Sequence, residues 1–320
     1  MSFINAQVVA ASAPLHARPF PLTRGHELKD TLSWCATDYY SKAISGRPFE
    51  ARGVMVIGDS RQGKTTEIND VLDQFNDGSV IMPDDRPGKI LTCTLSAKVT
   101  WKALGYTLLA IMNYPATGLR DQSAIWSKVV KIAKLQGVVG FFFDECQHVF
   151  KSSGTAENQE ILDCFKTLLK DPNWPLMLIL AGVPVLATHV AKEEQLARLL
   201  RTVRFEAIDL SREMDLDELL QMLFRYAEKA GLDFGPMATR DFLDRLVFSC
   251  CDRWGLVIEI LREAFTHAQI VGDKVCKVDH FSHAFAQTYS VPNGYSPFTM
   301  PNYRDSFDHA TLMKILKKTK

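Results

Sequence analysis

A short stretch in the first third of the chain has the composition of a phosphate-binding loop. The apolar run Val54–Ile57 is followed by residues that match G-x-x-x-x-G-K-[ST] at every fixed position. Glycines let backbone N–H groups converge on an anion, and a helix that begins near Lys64 directs its positive end at the same point. The residues predicted to bind the nucleotide are Gly58, Asp59, Ser60, Arg61, Gln62, Gly63, Lys64, Thr65 and Thr66.

The side chains at the end of this loop predict a nucleoside triphosphate with Mg²⁺. The Lys64 ammonium has the length and charge to reach the β- and γ-phosphates, and the Thr65 hydroxyl suits a position on Mg²⁺. The alternative is a glycine-containing turn between a strand and a helix, in which the Lys-Thr pair has no chemical role.

Two carboxylates close a second apolar run, Val138–Phe143, 80 positions after the loop lysine. A parallel sheet would bring them beside the phosphates. Asp144 then suits the Mg²⁺ shell, and Glu145 is placed to orient or deprotonate the attacking water. The alternative is a charged strand end that faces solvent. A metal role for Cys146 and His148 is not expected, because tetrahedral sites need more ligands than this pair.

Phosphoryl transfer also needs positive charge on the transition state, which an arginine of a neighbouring subunit often supplies. Arg198, Arg201 and Arg204 lie between the predicted fourth and fifth strands, and Arg198 or Arg201 is the predicted trans arginine. Arg253 precedes a predicted helix of the C-terminal region and could contact the γ-phosphate. The alternatives are surface arginines in the first group and, for Arg253, an ion pair with Asp252.

Nucleic-acid contact is predicted less directly, from basic residues near an aromatic one. Lys98, Trp101 and Lys102 follow the predicted second strand and combine charge with a ring that could stack. Solvated helix charges and a frayed terminus would account for the same residues. The chain also ends in basic residues that could contact phosphates, namely Lys317, Lys318 and Lys320.

Strand and helix patterns alternate between residues 53 and 210, which predicts an α/β domain with a parallel sheet. Wholly helical patterns follow and predict a small all-helical lid domain. The first 25 residues, with three prolines, predict an extended arm before a helix at 27–43. The predicted domains are 1–48 (arm and helix), 49–212 (nucleotide-binding core), 213–290 (lid) and 291–320 (tail). The predicted strands are 54–57, 89–95, 138–143, 176–181 and 204–210.

Composition and charge indicate which partners, cysteine chemistry and compartment to expect. The 320 residues are 47% hydrophobic, and 37 basic residues balance 37 acidic ones, so net charge favours no acidic partner. Seven cysteines without C-x-x-C spacing indicate reduced thiols rather than a disulfide framework. No apolar run predicts a membrane span or a secretory signal, and the cytoplasm is the expected compartment.

Together these segments resemble the AAA+ ATPases of transposition modules, the TniB/TnsC type. The likeness covers roughly residues 25 to 300. Its first two motifs are shared by AAA+ proteins in general, and the others carry the likeness to transposition proteins. The segments are GDSRQGKTT, FFFDECQH, CFKTLLK, LMLILAGVP and RWGLVIEILREA.

The resemblance implies an ATP-binding protein that assembles as a ring or helical filament on double-stranded DNA. Such a protein would regulate transposition by selecting the target site and recruiting a transposase. A target-selection adaptor is a further implied partner. Lys64 and Thr65 would belong to the first nucleotide motif and Asp144 and Glu145 to the second. Gln195–Arg198 is similar to the stretch before the trans arginine, Arg253 to the lid arginine, and Tyr295–Phe298 to the family's ending.

One position departs from the family pattern. After the fourth strand the family usually has a polar residue near the γ-phosphate, whereas this chain reads Gly182-Val183-Pro184. This difference predicts slow or DNA-stimulated hydrolysis. Two other functions stay open on the sequence alone: a nucleotide-switched signalling or secretion-associated ATPase that binds proteins instead of DNA, and a scaffold that binds nucleotide without turnover.

Overall fold

A computed structural model describes residues 3–17, 19–95, 100–115, 118, 121–150 and 155–318. The chain divides into two compact units. The sheet unit comprises residues 23–60 and 64–205. The helical unit comprises the residues up to 22, residues 61–63, and the residues from 206 onward. The predicted domain boundaries at 48 and 212 differ from this division, because the first residues group with the C-terminal helices.

The sheet unit is built on five parallel strands in the order β2-β3-β4-β1-β5. Every residue of β1, β3 and β4 is buried, as expected for central strands covered by helices on both faces. This arrangement confirms the predicted parallel α/β sheet. The strands are β1 (Gly53–Gly58), β2 (Lys89–Thr94), β3 (Val138–Asp144), β4 (Met177–Gly182) and β5 (Leu200–Phe205).

Helices connect the strands and form the second unit. In the sheet unit they are α2 (Thr23–Ile44), α3 (Lys64–Phe75), α4 (Trp101–Ile111), α5 (Gln122–Gln136), α6 (Thr155–Leu169), α7 (Val185–Val190) and α8 (Glu194–Leu199). In the helical unit they are α1 (Ala6–His16), α9 (Glu213–Ala230), α10 (Arg240–Ser249), α11 (Trp254–Ile270), α12 (Val278–Tyr289), α13 (Tyr303–Ser306) and α14 (His309–Lys318).

Local sequence signals explain where several of these helices begin and end. The Asp121 side chain accepts the backbone N–H of Ala124 at 3.0 Å and so caps the start of α5. The same helix ends at Gly137, whose φ of +71° is a left-handed conformation that favours glycine. The capped helix then leads directly into β3, which carries the two carboxylates.

The fifth strand lies earlier in the chain than the sequence predicted. The prediction was residues 204–210, but β5 covers Leu200–Phe205 and pairs with β1 in register from Gly53 opposite Leu200 to Gly58 opposite Phe205. The buried side chains of β5 are those of Leu200, Val203 and Phe205. Polar residues lie between them, so the sequence of β5 lacks a continuous apolar run. The position of the strand is set by its pairing with β1.

The N-terminal segment is helical, and the prediction of an extended arm was wrong. Asn5 caps α1 by accepting the backbone N–H groups of Gln7 and Val8, and Pro14 lies inside the helix. Ala11 and Leu15 are buried where α1 packs on α9 and α11. Tertiary packing in the helical unit therefore overrides the local effect of proline.

Aromatic residues dominate the core of the helical unit. Phe242 and Phe281 meet edge to face with ring centroids 4.8 Å apart, and Phe234 and Phe265 lie in the same cluster. The predicted tail also folds here, since Leu312 and Leu316 of α14 are buried. Among the described residues, no helix has the length and apolarity needed to cross a membrane.

Candidate nucleotide site

The predicted phosphate loop joins β1 to α3 at the carboxyl end of the sheet. Arg61 and Gly63 have φ values of +65° and +89°, and such left-handed turns help backbone N–H groups to converge. A Cβ atom at Gly58 would lie 2.6 Å from the carbonyl oxygen of Phe205, so the loop needs glycine there. The local sequence thus forms a tight turn between β1 and α3, at the position where the phosphate loop was predicted.

Lys64 is the first residue of α3 and is buried, with 7% of its surface exposed. Its Nζ donates to the carbonyl oxygens of Gly58 at 2.7 Å and Asp59 at 2.8 Å. These two bonds curl the ammonium group back over the loop. A buried cation is thereby held beside the turn that would receive the phosphates.

Thr65 and Asp144 meet although 79 positions separate them in the chain. The Thr65 hydroxyl donates to Oδ2 of Asp144 at 2.8 Å, and Asp144 is 5% exposed. A hydroxyl and a single carboxylate fit Mg²⁺, which takes few protein oxygens and completes its shell with water and phosphate. Within the described part of the chain, no group of three or more His, Cys, Asp or Glu side chains could hold a metal ion.

Glu145 follows β3 in a left-handed conformation, with φ of +54°. Its backbone N–H donates to Asp144 Oδ1 at 2.9 Å, and its Oε2 lies 3.9 Å from Nε2 of His148. A left-handed backbone is uncommon for glutamate and often marks a functional position. The turn directs Glu145 away from the line of β3, beside the carboxylate of Asp144.

The Cys146 thiol has no place in this chemistry. Cys146 is fully buried, and burial together with the nearby Asp144 charge raises its pKa well above the ordinary range. Thiolate is the form that ligates metals and attacks electrophiles. Cys146 therefore serves as a small apolar side chain below the site.

Two supporting contacts were not predicted from the sequence. Gln147 donates its amide N–H to Glu145 and accepts the backbone N–H of Val183 at 3.2 Å. Arg24 forms a buried ion pair with Glu67 on α3, with Nη2 2.6 Å from Oε1. Both contacts join residues that are brought together only by the fold, and the sequence pattern around Arg24 indicated an arm without structure.

Residues 61–63 of the loop belong to the helical unit. Arg61 pairs with Glu259 of α11 at 3.0 Å and donates to the carbonyl oxygen of Leu316 at 3.3 Å. The backbone N–H of Trp254 donates to the Gln62 side chain at 3.4 Å. A Cβ at Gly255 would lie 2.3 Å from the carbonyl oxygen of Arg61, so this contact also needs glycine.

The arginines predicted to act on the transition state occupy different environments. Arg198 lies in the last turn of α8, and its side chain is 74% exposed and paired with Glu194. Arg201 lies on β5, where its guanidinium stacks 3.3 Å from the ring centroid of Trp34. Arg204 is also on β5 and not between strands. Arg253 is the residue before α11, in the helical unit.

The residues predicted to contact DNA differ in their exposure to solvent. Trp101 is 8% exposed and stacks on Trp126 with ring centroids 3.8 Å apart, so its ring is a core element and not a surface for bases. Lys102 is exposed on α4. Lys98 and Lys320 lie outside the described residues, as do the side chains of Lys317 and Lys318.

The family model described as "Bacterial TniB protein" matches residues 42–213, which are 172 of the 320 residues. No curated protein sequence is significantly similar to the chain. The matched range contains the phosphate loop, the two carboxylates and every strand of the sheet.

Solved structures of low sequence identity share the fold. Cdc6p from Pyrobaculum aerophilum is 12% identical, with 94% of this chain and 86% of that chain covered and a TM-score of 0.56. The Aeropyrum pernix ORC1 protein in complex with DNA is 14% identical, with coverage of 93% and 81% and a TM-score of 0.56. The Aeropyrum pernix ORC2 protein is 16% identical, with coverage of 84% and 69% and a TM-score of 0.57.

The likeness to these structures is one of fold, and this chain has a five-stranded parallel sheet followed by helices. The family match confirms the resemblance seen in the sequence motifs. The chain belongs to the TniB family, and its fold is that of an AAA+ ATPase.

Proposed function

We propose that this protein hydrolyses ATP with Mg²⁺, assembles as a homo-oligomer on double-stranded DNA, and regulates transposition by selecting the target site and recruiting the transposase. The observation that carries the proposal is the hydrogen bond between Thr65 and Asp144, which joins the phosphate loop to the acidic strand end. Membership of the TniB family supports the transposition role.

The nucleotide chemistry follows from the positions of the side chains. On binding ATP, Lys64 exchanges its bonds to the Gly58 and Asp59 carbonyls for bonds to the β- and γ-phosphates. Thr65 and Asp144 would hold Mg²⁺, which neutralises charge on the phosphates when it is bound. Glu145 accepts the proton of the attacking water.

Two arginines complete the proposed site. Arg198 of a neighbouring subunit is the better candidate to stabilise the transition state, because its exposed side chain is free of the ring stacking that occupies Arg201. Arg253 is proposed to report the state of the γ-phosphate to the helical unit, since it stands directly before α11.

The DNA partner is proposed from family membership and from local charge. Net charge is zero, so binding would depend on local basic residues such as Lys102 on α4. One protein of similar fold, the Aeropyrum pernix ORC1 protein, is described in complex with DNA. A salt-sensitive affinity for duplex DNA would separate this proposal from a function that requires only protein partners.

The test measures assembly by mass photometry with ATP, Mg²⁺ and duplex DNA. We expect large assemblies that need both ATP and DNA and that Lys64→Ala abolishes. Lys42→Ala is the matched control, because Lys42 also donates to a backbone carbonyl, that of Glu50 at 3.1 Å, but far from the loop. A wild-type protein that stays monomeric with ATP and DNA together would overturn the DNA-assembly proposal.

A further inference from the structure

The side chain of Gln147 connects two strand ends beside the candidate water-activating glutamate. It lies in the short 3₁₀ turn Cys146–Val149 that follows β3. Its Nε2 donates to Oε2 of Glu145, and its Oε1 accepts the backbone N–H of Val183 at 3.2 Å. Only the amide nitrogen can donate to a carboxylate and only the amide oxygen can accept an N–H, so the two bonds fix the orientation of this amide.

The end of β4 is shaped to admit this amide. Gly182 is the last residue of β4, and a Cβ at that position would lie 2.6 Å from Oε1 of Gln147. Any side chain larger than hydrogen would therefore push the amide away from the Val183 N–H. Val183 itself offers no polar side chain, so its backbone N–H provides the hydrogen bond from the β4 side.

The contact also restrains the carboxylate of Glu145. The Glu145 side chain is 41% exposed and could adopt several rotamers in water. A bond from Gln147 to Oε2 selects among these rotamers and leaves Oε1 to receive the proton of the attacking water. Restricting a catalytic group before reaction lowers the entropy that must be lost in the transition state.

We propose that Gln147 is a positioning residue for ATP hydrolysis, which anchors the Glu145 carboxylate to the end of β4. The anchor makes the orientation of Glu145 depend on where β4 ends. Movement of that strand end would change the turnover of bound ATP without changing its affinity. This inference depends on the proposed role of Glu145 in hydrolysis.

The first test uses Gln147→Met, which keeps the side-chain length and removes both hydrogen bonds. We expect kcat to fall by about tenfold or more while KM for ATP stays within about twofold, because loss of orientation affects the transition state and not ground-state binding. Gln159→Met is the matched control, since Gln159 also donates to a carboxylate, that of Glu193 at 2.8 Å, away from the site. Unchanged kcat in Gln147→Met would overturn the inference.

A double-mutant comparison shows whether Gln147 acts through Glu145. In a Glu145→Gln background, Gln147→Met should cause no further loss of kcat, since the group that it orients is already disabled. A full additional tenfold loss would overturn the inference. Normal turnover in Glu145→Gln alone would instead remove the proposed role of Glu145, so the two failures are distinguishable.

Gly182→Ala provides a second approach should Gln147→Met fail to fold. The added methyl group pushes on the Gln147 amide from the side of β4 and leaves the glutamine in place. The same fall in kcat with little change in KM is expected, again with no further loss in the Glu145→Gln background. Wild-type kcat in a folded Gly182→Ala protein would contradict the anchor.

Discussion

The carboxyl end of the sheet is lined by charged and hydrogen-bonding side chains, whereas aromatic rings and prolines, with a few charged side chains, border a cavity at the amino end. At the carboxyl end, Lys64 donates to the carbonyl oxygen of Gly58, and the Thr65 hydroxyl donates to the Asp144 carboxylate. At the amino end, a cavity of about 400 Å³ is lined by side chains that include Tyr39, Phe49, Trp174, Pro48, Pro172 and Pro175.

The difference follows from the geometry of parallel strands. All five strands end at the same edge, so backbone N–H groups of the following loop and the dipole of α3 converge there. The amino end receives the segments that enter the strands. Substitutions at the carboxyl end are therefore expected to change ATP hydrolysis. Substitutions at the amino end are expected to change mainly the free energy of unfolding.

The position of Arg198, the proposed trans arginine, adds a further contrast. Five residue steps separate Leu200 from Phe205 in β5, which is about 16 Å at 3.3 Å per residue. Arg198 precedes Leu200, and its carbonyl oxygen accepts a hydrogen bond from Arg52 at 2.8 Å. Within one chain, Arg198 thus lies at the amino end of the sheet, away from Gly58, and it would reach phosphates only in a neighbouring subunit.

The largest effect is expected at the carboxyl end, from Glu145→Gln. Loss of the proposed general base should lower kcat for ATP hydrolysis by about 1000-fold, while ATP binding measured by equilibrium dialysis stays within about twofold. Glu160→Gln, an exposed change on α6, is the control. Turnover at the wild-type rate in Glu145→Gln would show that the carboxyl end does not supply the base in this way.

A mixing experiment tests whether Arg198 acts across subunits. Lys64→Ala and Arg198→Ala should each be inactive alone, but an equal mixture should recover up to about a quarter of the wild-type ATPase rate. In a random mixture, about one site in four has both an intact Lys64 in its own subunit and an intact Arg198 in the neighbouring subunit.

Mixing Lys64→Ala with Glu145→Gln is the control, because no subunit in that mixture has an intact site. Failure of the first mixture to recover any activity, under conditions where subunits exchange, would contradict a trans role for Arg198.

A smaller effect is expected at the amino end, from Trp174→Ala. The Trp174 indole donates to the carbonyl oxygen of Val138 at 2.6 Å and borders the cavity. Its removal should lower the free energy of unfolding by about 2–3 kcal/mol, measured by urea denaturation, with KM for ATP unchanged.

Trp174→Phe keeps an aromatic ring but loses the hydrogen bond and part of the indole, so it should cost less than Trp174→Ala, about 1–2 kcal/mol. A Trp174→Ala protein of normal stability that binds ATP poorly would reverse the assignment of the two ends.

The smallest effect concerns Cys35, which is buried beside the amino end of β1 and lies 3.6 Å from the carbonyl oxygen of Gly53. Burial raises its pKa from 9.0 to about 11. Above pH 9 the unfolded thiol ionises while the folded one stays neutral, so stability is present below pH 9 and falls as pH rises toward 11.

Cys35→Ala should therefore reduce the loss of stability between pH 8 and pH 10 by about 1 kcal/mol, measured by urea denaturation at each pH. Because the other buried thiols titrate in the same direction, only the difference between the variant and the wild type is interpreted. An identical pH dependence in the two proteins would show that the Cys35 thiol does not contribute.

Contiguous patterns predicted the parts of the fold that local sequence determines. The phosphate loop, α3 and the strand that ends in Asp144 were all predicted close to their observed bounds, since each combines an apolar run with a distinctive polar ending. The position of β5 was wrong by several residues because its register is set by β1, and α1 was missed because Pro14 lies inside it.

The contacts around the site were beyond sequence reasoning for a similar reason. Gln147 reaches Val183 only because β3 and β4 are adjacent and end together. Arg24 and Glu67 are 43 positions apart and meet because α2 packs on α3. Residue types suggest which groups could do chemistry, but their partners depend on pairings between distant segments.

The position of β1 between β4 and β5 also has a consequence for biosynthesis. A ribosome that has just made Gly58 must add 147 further residues before Phe205 exists, which takes roughly 7–30 s at 5–20 residues per second. Until residue 177 is made, the turn after β1 has neither neighbouring strand, and it lacks β5 until Phe205 is made. Nascent chains released before residue 200 would therefore lack ATP affinity, and the cell would acquire a competent subunit only after most of the chain has emerged.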